Sequence, residues 1–547
     1  VKRFAALLLA VATCLAACTR TETGGNAAAP GGRHPWTRPG VLRIATVGEP
    51  DTLNPALSAY QVPVDISMFW AGYLFDYDDR NQLVPELATT VPTLANGGIS
   101  RDGLAITYHL RRGVTWQDGA PFSADDVAFS WHAVMNPDNN IQTRTGYDIV
   151  TSVDEPDKYT VVVHLKRRFA PFVQTFFTMS SAPIPVLPKH LLAQYPNINR
   201  LAYNSKPIGT GPFILQQWHR GEMLRMVANP HYWRGAPKLR EVDFETIPDE
   251  NTIATTMQSH AIDLWYNAGA SLYPVASKIP ATHVVLNPFT QYSFIGLNTT
   301  RGALRDVRVR RALAYATDRK TLIDRLTYGV QVLGEGDQPA FSWAHDPKLR
   351  SLPFDPARAR ALLDEAGWHA GANGIRMKDG VPLRLEVATT TGGSVGARLA
   401  VLLQSAYRTV GIDLQVKPYV AAMMFAGYQN GGILQSGKFD LEFSSWVNGI
   451  DPDDSTNVTC AAIPPNGQNI TRFCDPAIDA AEKVAMTSYD QATRARAYAT
   501  VQEELVKNVP WITSWFFRQF DIVSDDVHGF KPAHAVTPFW NPWELST

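Results

Sequence analysis

The sequence predicts an α/β protein built from more than one compact unit. Three observations carry this. The chain has 547 residues, and at about 100–200 residues per domain that suggests about three units and not a single core. Apolar residues make up 45% and charged residues 18%, the balance of a folded chain with a large core. After Asn298, strand-like and helix-like segments alternate, the pattern of an α/β unit.

The first segment sets the compartment. Lys2 and Arg3 precede Phe4 to Leu15, an apolar run of 12 residues, too short for a hydrocarbon core of about 30 Å. Leu15-Ala16-Ala17-Cys18 follows and resembles the bacterial lipobox. Residues 1–18 therefore read as a lipoprotein signal peptide with Cys18 as the lipidated residue. The alternative is an ordinary secretory signal with an incidental Cys. Residues 19–40, rich in Gly, Ala, Pro and Thr, read as a flexible tether. No later run of 18 apolar residues suggests a membrane span. The expected location is outside the cell membrane, lipid-anchored or facing the periplasm.

Val41 to Thr46 is the first predicted strand, and the two prolines of residues 49–55 make an irregular loop. Ala105–Leu110 and Tyr159–Leu165 are strands by β-branched and aromatic enrichment. Between them, Ser123 and Asp126 have capping-box spacing, and Val127, Trp131 and Val134 share one helical face. Pro212–Trp218, Met223–Ala228 and Val242–Ile247 are further strands. Asp306 and Asp318 are N-caps of two helices. Asp355-Pro356 opens another, which Gly367 closes. Leu383–Ala388 is a strand. Leu399, Leu402, Leu403, Ala406 and Val410 mark the helix after it, which Gly411 ends. Ile412–Lys417 and Phe439–Ser444 are strands, Asp490 caps a helix to about Lys507, and Trp511–Phe517 is a late strand.

Composition and motifs exclude several functions. Lys+Arg is 50 and Asp+Glu 51, so no basic stripe points to nucleic acid. No HExxH, P-loop or dinucleotide fingerprint occurs, the 13 His are scattered, and Asp451-Pro452-Asp453-Asp454 lacks the Gly of an EF-hand. Neither a cofactor nor a bound metal is expected. Cys460 and Cys474 are the only thiols beyond the leader. In an exported chain, one disulfide is the economical reading. A metal site would need flanking His or a second Cys pair.

Five stretches carry a family resemblance. They are Ile106–Trp131 (ITYHLRRGVTWQDGAPFSADDVAFSW), Gly209–Phe213, Asn229–Trp233, Asp306–Asp318 (DVRVRRALAYATD) and Asn466–Asp475 (NGQNITRFCD). In this order they resemble solute-binding proteins of the peptide/nickel family of ABC importers. The resemblance implies a two-lobe periplasmic-binding-protein fold, type II and cluster C-like, with an extra subdomain in lobe I. Lobe I would cover 41–290 with the subdomain near 86–200, lobe II 291–515, and residues 516–547 would return to lobe I. The chain crossings would lie near Tyr292–Asn298 and Pro510–Phe517. It further implies a monomer that captures a peptide or other small solute between the lobes, delivers it to membrane permease subunits and catalyses nothing.

Such a site is lined by the crossing strands and their loops. The candidates are Trp265, Tyr266 and Asn267, then Tyr292 and Phe294, then Trp446, Asn448 and Asp451. Aromatic rings there can stack on a solute while polar tips orient it, although core packing explains any one of them equally well. Dipeptide-type members carry an amine-binding Asp three residues after this Trp, and here Gly449 stands there. Asp451-Pro452 instead matches a structural Asp-Pro. The loop Thr389–Ser394 also lacks the carboxylate-binding Arg of some members, the next being Arg398. Both usual clamps are missing from their positions, which leaves longer peptides or a non-peptide solute open.

One rival comes from the same loop. Gly392-Gly393-Ser394-Val395-Gly396 fits G-x-S-x-G between a strand and a helix. Asp440 or Asp451, with His528 or His534, would complete a secreted serine hydrolase. Ser394 is also a natural N-cap, and no run of βαβ units precedes it.

Overall fold

The computed structural model describes residues 32–180, 182–392, 394–534 and 536–547, and for Ser394 its backbone only. The leader, Cys18 and most of the tether lie outside the described residues.

One ten-stranded sheet organises the molecule. From edge to edge its strands are Asp413–Tyr419, Arg384–Thr390, Leu441–Val447, Thr282–Leu297, Trp511–Ser524, Leu264–Trp265, Val41–Thr46, Glu241–Thr246, Met223–Ala228 and Phe213–His219. Val41–Thr46 is buried along its whole length and pairs in parallel with Glu241–Thr246 and Leu264–Trp265. Its near-continuous apolar run is what a parallel strand covered on both faces requires.

Two long strands join the halves of this sheet. Thr282–Leu297 and Trp511–Ser524 run antiparallel, paired from Thr282 opposite Ser524 to Gly296 opposite Trp511 with two register shifts between. Both are longer than the sequence suggests. Pro288 lies inside the first, and a proline within a central strand normally argues against one. A register shift between Pro288 and Tyr292 accommodates it. The second strand was expected to stop at Phe517 but continues to Ser524, because Ile522 and Val523 pair with Trp265 and Leu264.

A smaller sheet of Ala105–His109, Thr160–Leu165 and Val150–Asp157 packs with the helix Ala124–Met135. The Asp126 carboxylate accepts from the Ser123 N–H at 3.0 Å, as the capping spacing requires. Asp306, Asp318, Asp355 and Asp490 all cap helices through their side chains. The helix Gln61–Trp70 carries no such signal and contains Pro63, yet Pro63 sits in the first turn, where no hydrogen bond is lost. Its last carbonyl explains the Gly209–Phe213 stretch: a Cβ on Gly209 would lie 1.8 Å from the Trp70 oxygen.

The apolar core is divided. One cluster gathers residues between Leu42 and Tyr266 together with Val536, Phe539 and Leu545 from the end of the chain. A second gathers residues between Ile295 and Trp515. Cys460 and Cys474 form a disulfide. Among the described residues, no helix is long and apolar enough to cross a membrane.

Candidate solute-binding site

Two cavities border the first crossing strand, one at Tyr292 and Phe294 and the other at Thr290. The first, about 160 Å³, is walled by Tyr292, Phe294, Trp446, Trp511, Phe425 and Asn457, among others. Strand pairing places these rings. Tyr292 lies opposite Trp446 and opposite Phe516, so the side chains of all three emerge on one face. Phe294 follows two residues on. Its ring centroid is 5.5 Å from Tyr292 and 5.7 Å from Trp511. No Lys, Arg, Asp or Glu side chain lines this cavity.

The second cavity, about 250 Å³, brings Tyr77, Arg80 and Gln174 against Phe341, Trp343 and the Gly449–Asp451 segment. It opens where the residues before the first crossing strand face those after it. Tyr489 Oη donates to the Gly103 carbonyl at 2.9 Å, and the Ala170 N–H donates to the Met486 carbonyl at 2.8 Å, across the same divide.

The sequence candidates separate into three groups. Tyr292, Phe294 and Trp446 share the first cavity. Asn448 is buried, and its Nδ2 donates to the Asp337 carbonyl at 2.9 Å. Asp451 borders the second cavity, but its carboxylate accepts from Arg494 Nη1 at 2.8 Å and Nη2 at 2.6 Å. That bidentate pair, with the Arg494 guanidinium stacked 5.0 Å from the Trp343 ring centroid, makes Asp451 a structural brace. Trp265, Tyr266 and Asn267 line neither cavity. Trp265 is fully buried among Ala45, Ile253, Phe520 and Ile522. Tyr266 packs edge-on against Phe539 at 5.2 Å. Asn267 is exposed, with its N–H donated to Asp521 Oδ1 at 2.8 Å. Their strand runs beside the second crossing strand, one position away from the cavities in the sheet, which linear distance could not reveal.

Several acids are buried in this half of the molecule. Glu442 is fully buried, which pushes its carboxyl up to about 8 against the opposing hydrogen bond from Ser444. It packs so closely on Gly296 that a Cβ there would lie 2.1 Å from its Oε1. Asp337, Asp454 and Glu482 are buried together, and Asp454 lies within hydrogen-bonding reach of the other two. Burial raises both carboxyls; Glu482 and Asp337 raise Asp454 further, whereas a hydrogen bond with Asp454 lowers Glu482 against repulsion from Asp453, Asp337 and Asp451. Sequence reading missed all four, because an acidic residue alone signals solvent exposure. Among the described residues, no group of three or more His, Cys, Asp or Glu is arranged to hold a metal ion.

The hydrolase reading fails on these contacts. Asp440 pairs with Arg301 at 3.0 Å and accepts from the Glu386 N–H, and Asp451 is held by Arg494.

Residues 82–464 match the family described as bacterial extracellular solute-binding proteins, family 5 Middle. The oligopeptide-binding protein AppA of Bacillus subtilis is 25% identical over 534 residues, covering 96% of this chain and 95% of AppA. Di/tripeptide-binding protein 2 of Pseudomonas aeruginosa is 28% identical over 521 residues, 89% and 93% of the two chains. The crystal structure of NikZ from Campylobacter jejuni with Ni(L-His) superposes with a TM-score of 0.75 at 26% identity, covering 93% of this chain and 100% of NikZ. The fold is the mixed α/β fold of the periplasmic-binding-protein class. The chain belongs to the bacterial extracellular solute-binding proteins, family 5. It is the non-catalytic binding component of an ABC importer and works outside the membrane.

Proposed function

We propose that this protein captures a peptide, or a small organic solute of similar shape, at the crossing strands and passes it to membrane permease subunits. The observation that carries this reading is the wall of Tyr292, Phe294, Trp446 and Trp511 around a cavity without charged lining. Such a wall holds extended organic solutes through apolar contact and stacking, with little dependence on side-chain sequence. The oligopeptide- and di/tripeptide-binding relatives support the same substrate class.

In this reading, lobe I is 41–290 with a subdomain near 86–200, lobe II is 291–515, and 516–547 returns to lobe I. The division of the apolar core supports these limits. The protein acts as a monomer, tethered through residues 19–40 to lipid on Cys18. Two acyl chains make a stable anchor, at about 0.8 kcal/mol per buried CH₂.

Native mass spectrometry of protein purified without refolding, followed by melts with tri- to pentapeptides, tests the substrate class. A bound peptide, or a gain of about 2.7 kcal/mol at a hundredfold excess over Kd, is the expected result. A retained non-peptide solute with no response to peptides would overturn the peptide reading. Cys18→Ala should release the protein from membranes of its host, and unchanged attachment would refute the anchor.

A further inference from the structure

The second cavity, of about 250 Å³, carries three polar atoms that the protein leaves unpaired. They are the Tyr77 hydroxyl, Asn81 Oδ1 and Gln174 Oε1. All three side chains line the cavity, and all three atoms are buried with no hydrogen-bond partner among the described residues. Tyr77 is 4% exposed, and burial raises its hydroxyl well above the ordinary value, so the group stays an O–H. The backbone fixes these groups in place. Tyr77 ends the strand Phe75–Tyr77, which pairs with Leu83–Pro85. In the turn between them, Asp78 Oδ1 accepts from the N–H groups of Arg80 and Gln82 at 2.9 and 2.8 Å. Asn81 sits in that turn with a φ of 58°, a left-handed conformation that Asn tolerates. Gln174 comes from the short helix Phe172–Thr175.

The rest of the lining narrows what can pair with these atoms. Gln338 is already engaged: its Nε2 donates to Asp337 Oδ2 at 3.2 Å and to the Pro452 carbonyl at 3.4 Å, and its Oε1 accepts from Ser342 Oγ at 3.4 Å. The charged side chains in the lining are Arg80, which is exposed, and Asp451, whose two oxygens are taken by Arg494. The lining thus offers no free carboxylate to an ammonium. Two of the three unpaired atoms are acceptors, which an anion cannot satisfy. A neutral group remains. An apolar group would leave all three atoms buried and unpaired, which costs free energy. A peptide segment supplies N–H groups to the two amide oxygens and a carbonyl to the Tyr77 O–H, so it matches the whole set. The aromatic cavity is close at hand. Thr290 lines the second cavity, and Tyr292, two residues on, lines the first. Two residues of chain span at most about 7 Å, so a peptide of a few residues reaches both.

We propose that Tyr77, Asn81 and Gln174 form a neutral polar subsite that pairs with backbone amide groups of the solute in the second cavity, while the aromatic cavity takes one of its side chains. The subsite rests on the peptide reading above and adds a reason to prefer an amide chain over an apolar solute of the same shape. It needs neither the amine clamp nor the carboxylate clamp, which Gly449 and the Thr389–Ser394 loop do not provide.

Two probes test it on the full-length protein. Calorimetry compares tetra-alanine with its three analogues in which a single amide N–H is replaced by an ester oxygen. At least one ester should bind about fivefold or more weakly than the parent, because it leaves a buried acceptor unpaired. That penalty should vanish in Asn81→Gly/Gln174→Leu, which removes both acceptors while Gly keeps the left-handed turn. Should the double variant fold poorly, the two single variants take its place, and one of them should abolish the penalty. Tyr77→Phe should bind tetra-alanine about two- to tenfold more weakly than the wild type. Thermal melts compare N-methylpropionamide with methyl propionate at equal concentrations. The amide should protect the wild type better than the ester does, and the variant no better. If no tetrapeptide binds but the amide protects the wild type and not the variant, the subsite stands and the peptide reading falls. Esters that all bind like the parent, a penalty that survives loss of both oxygens, or full affinity in Tyr77→Phe overturns the subsite. So does an amide that protects no better than the ester when no tetrapeptide binds.

Discussion

Asp451 and Glu442 are both buried acids, and their surroundings give them different roles. Asp451 is matched by Arg494, so Arg494→Met should strand its charge and cost about 3–5 kcal/mol, read as a lower urea midpoint. A loss below about 1 kcal/mol would mean the pair is not the brace described. Glu442 has no cation, and its carboxyl is raised from 4.5 to about 8. An acid with a raised folded value keeps its proton in the native state while the unfolded chain loses it. Its contribution to stability is therefore full below pH 4.5 and is lost as pH rises toward 8. Glu442→Gln should gain stability relative to the wild type as pH rises from about 5 to 8, by denaturant titration at each pH. A difference that is constant with pH would contradict this. Three residues of the aromatic cavity were legible as aromatics on or near the crossing strands, namely Tyr292, Phe294 and Trp446. The acids were not, because a sequence shows that Asp454 is charged but not that Ile478 and Ala481 bring Glu482 inward beside it.

Elements with local signals were readable to within a residue or two. The caps at Asp306, Asp318, Asp355 and Asp490 fall where their N-cap chemistry requires. The two crossing strands were only half visible, since Pro288 breaks the alternation of one and the partner of Ile522 lies more than 200 residues away in the chain, at Trp265. The Cys460–Cys474 bridge closes a separation of 14 residues. By loop entropy it should contribute about 3 kcal/mol. It pins the segment just before the helix Pro476–Thr487, which carries Glu482. Reduction should therefore lower the thermal midpoint with the fold retained, as followed by far-UV circular dichroism. A midpoint insensitive to reductant would show that native packing alone orders this segment.

At the scale of the whole molecule, two hydrogen bonds join the proposed lobe I to the proposed lobe II. The Tyr489 hydroxyl reaches the Gly103 carbonyl, and Ala170 reaches Met486. On the proposed lobe limits, bonds of this kind would favour a closed arrangement without touching a solute. Tyr489→Phe should weaken binding roughly two- to tenfold, the range of one net hydrogen bond of about 0.5–1.5 kcal/mol, mainly through a faster off-rate. A slower off-rate would contradict the role. The central claim is that the solute is held at the crossing strands by the Tyr292–Trp446 wall. Calorimetry of one retained or tight-binding solute against wild type and Trp446→Ala tests it most directly, with matched melting curves as the folding control. The account predicts at least a tenfold rise in Kd, about 1.4 kcal/mol, for the variant. Equal affinity in the two proteins would place the solute elsewhere.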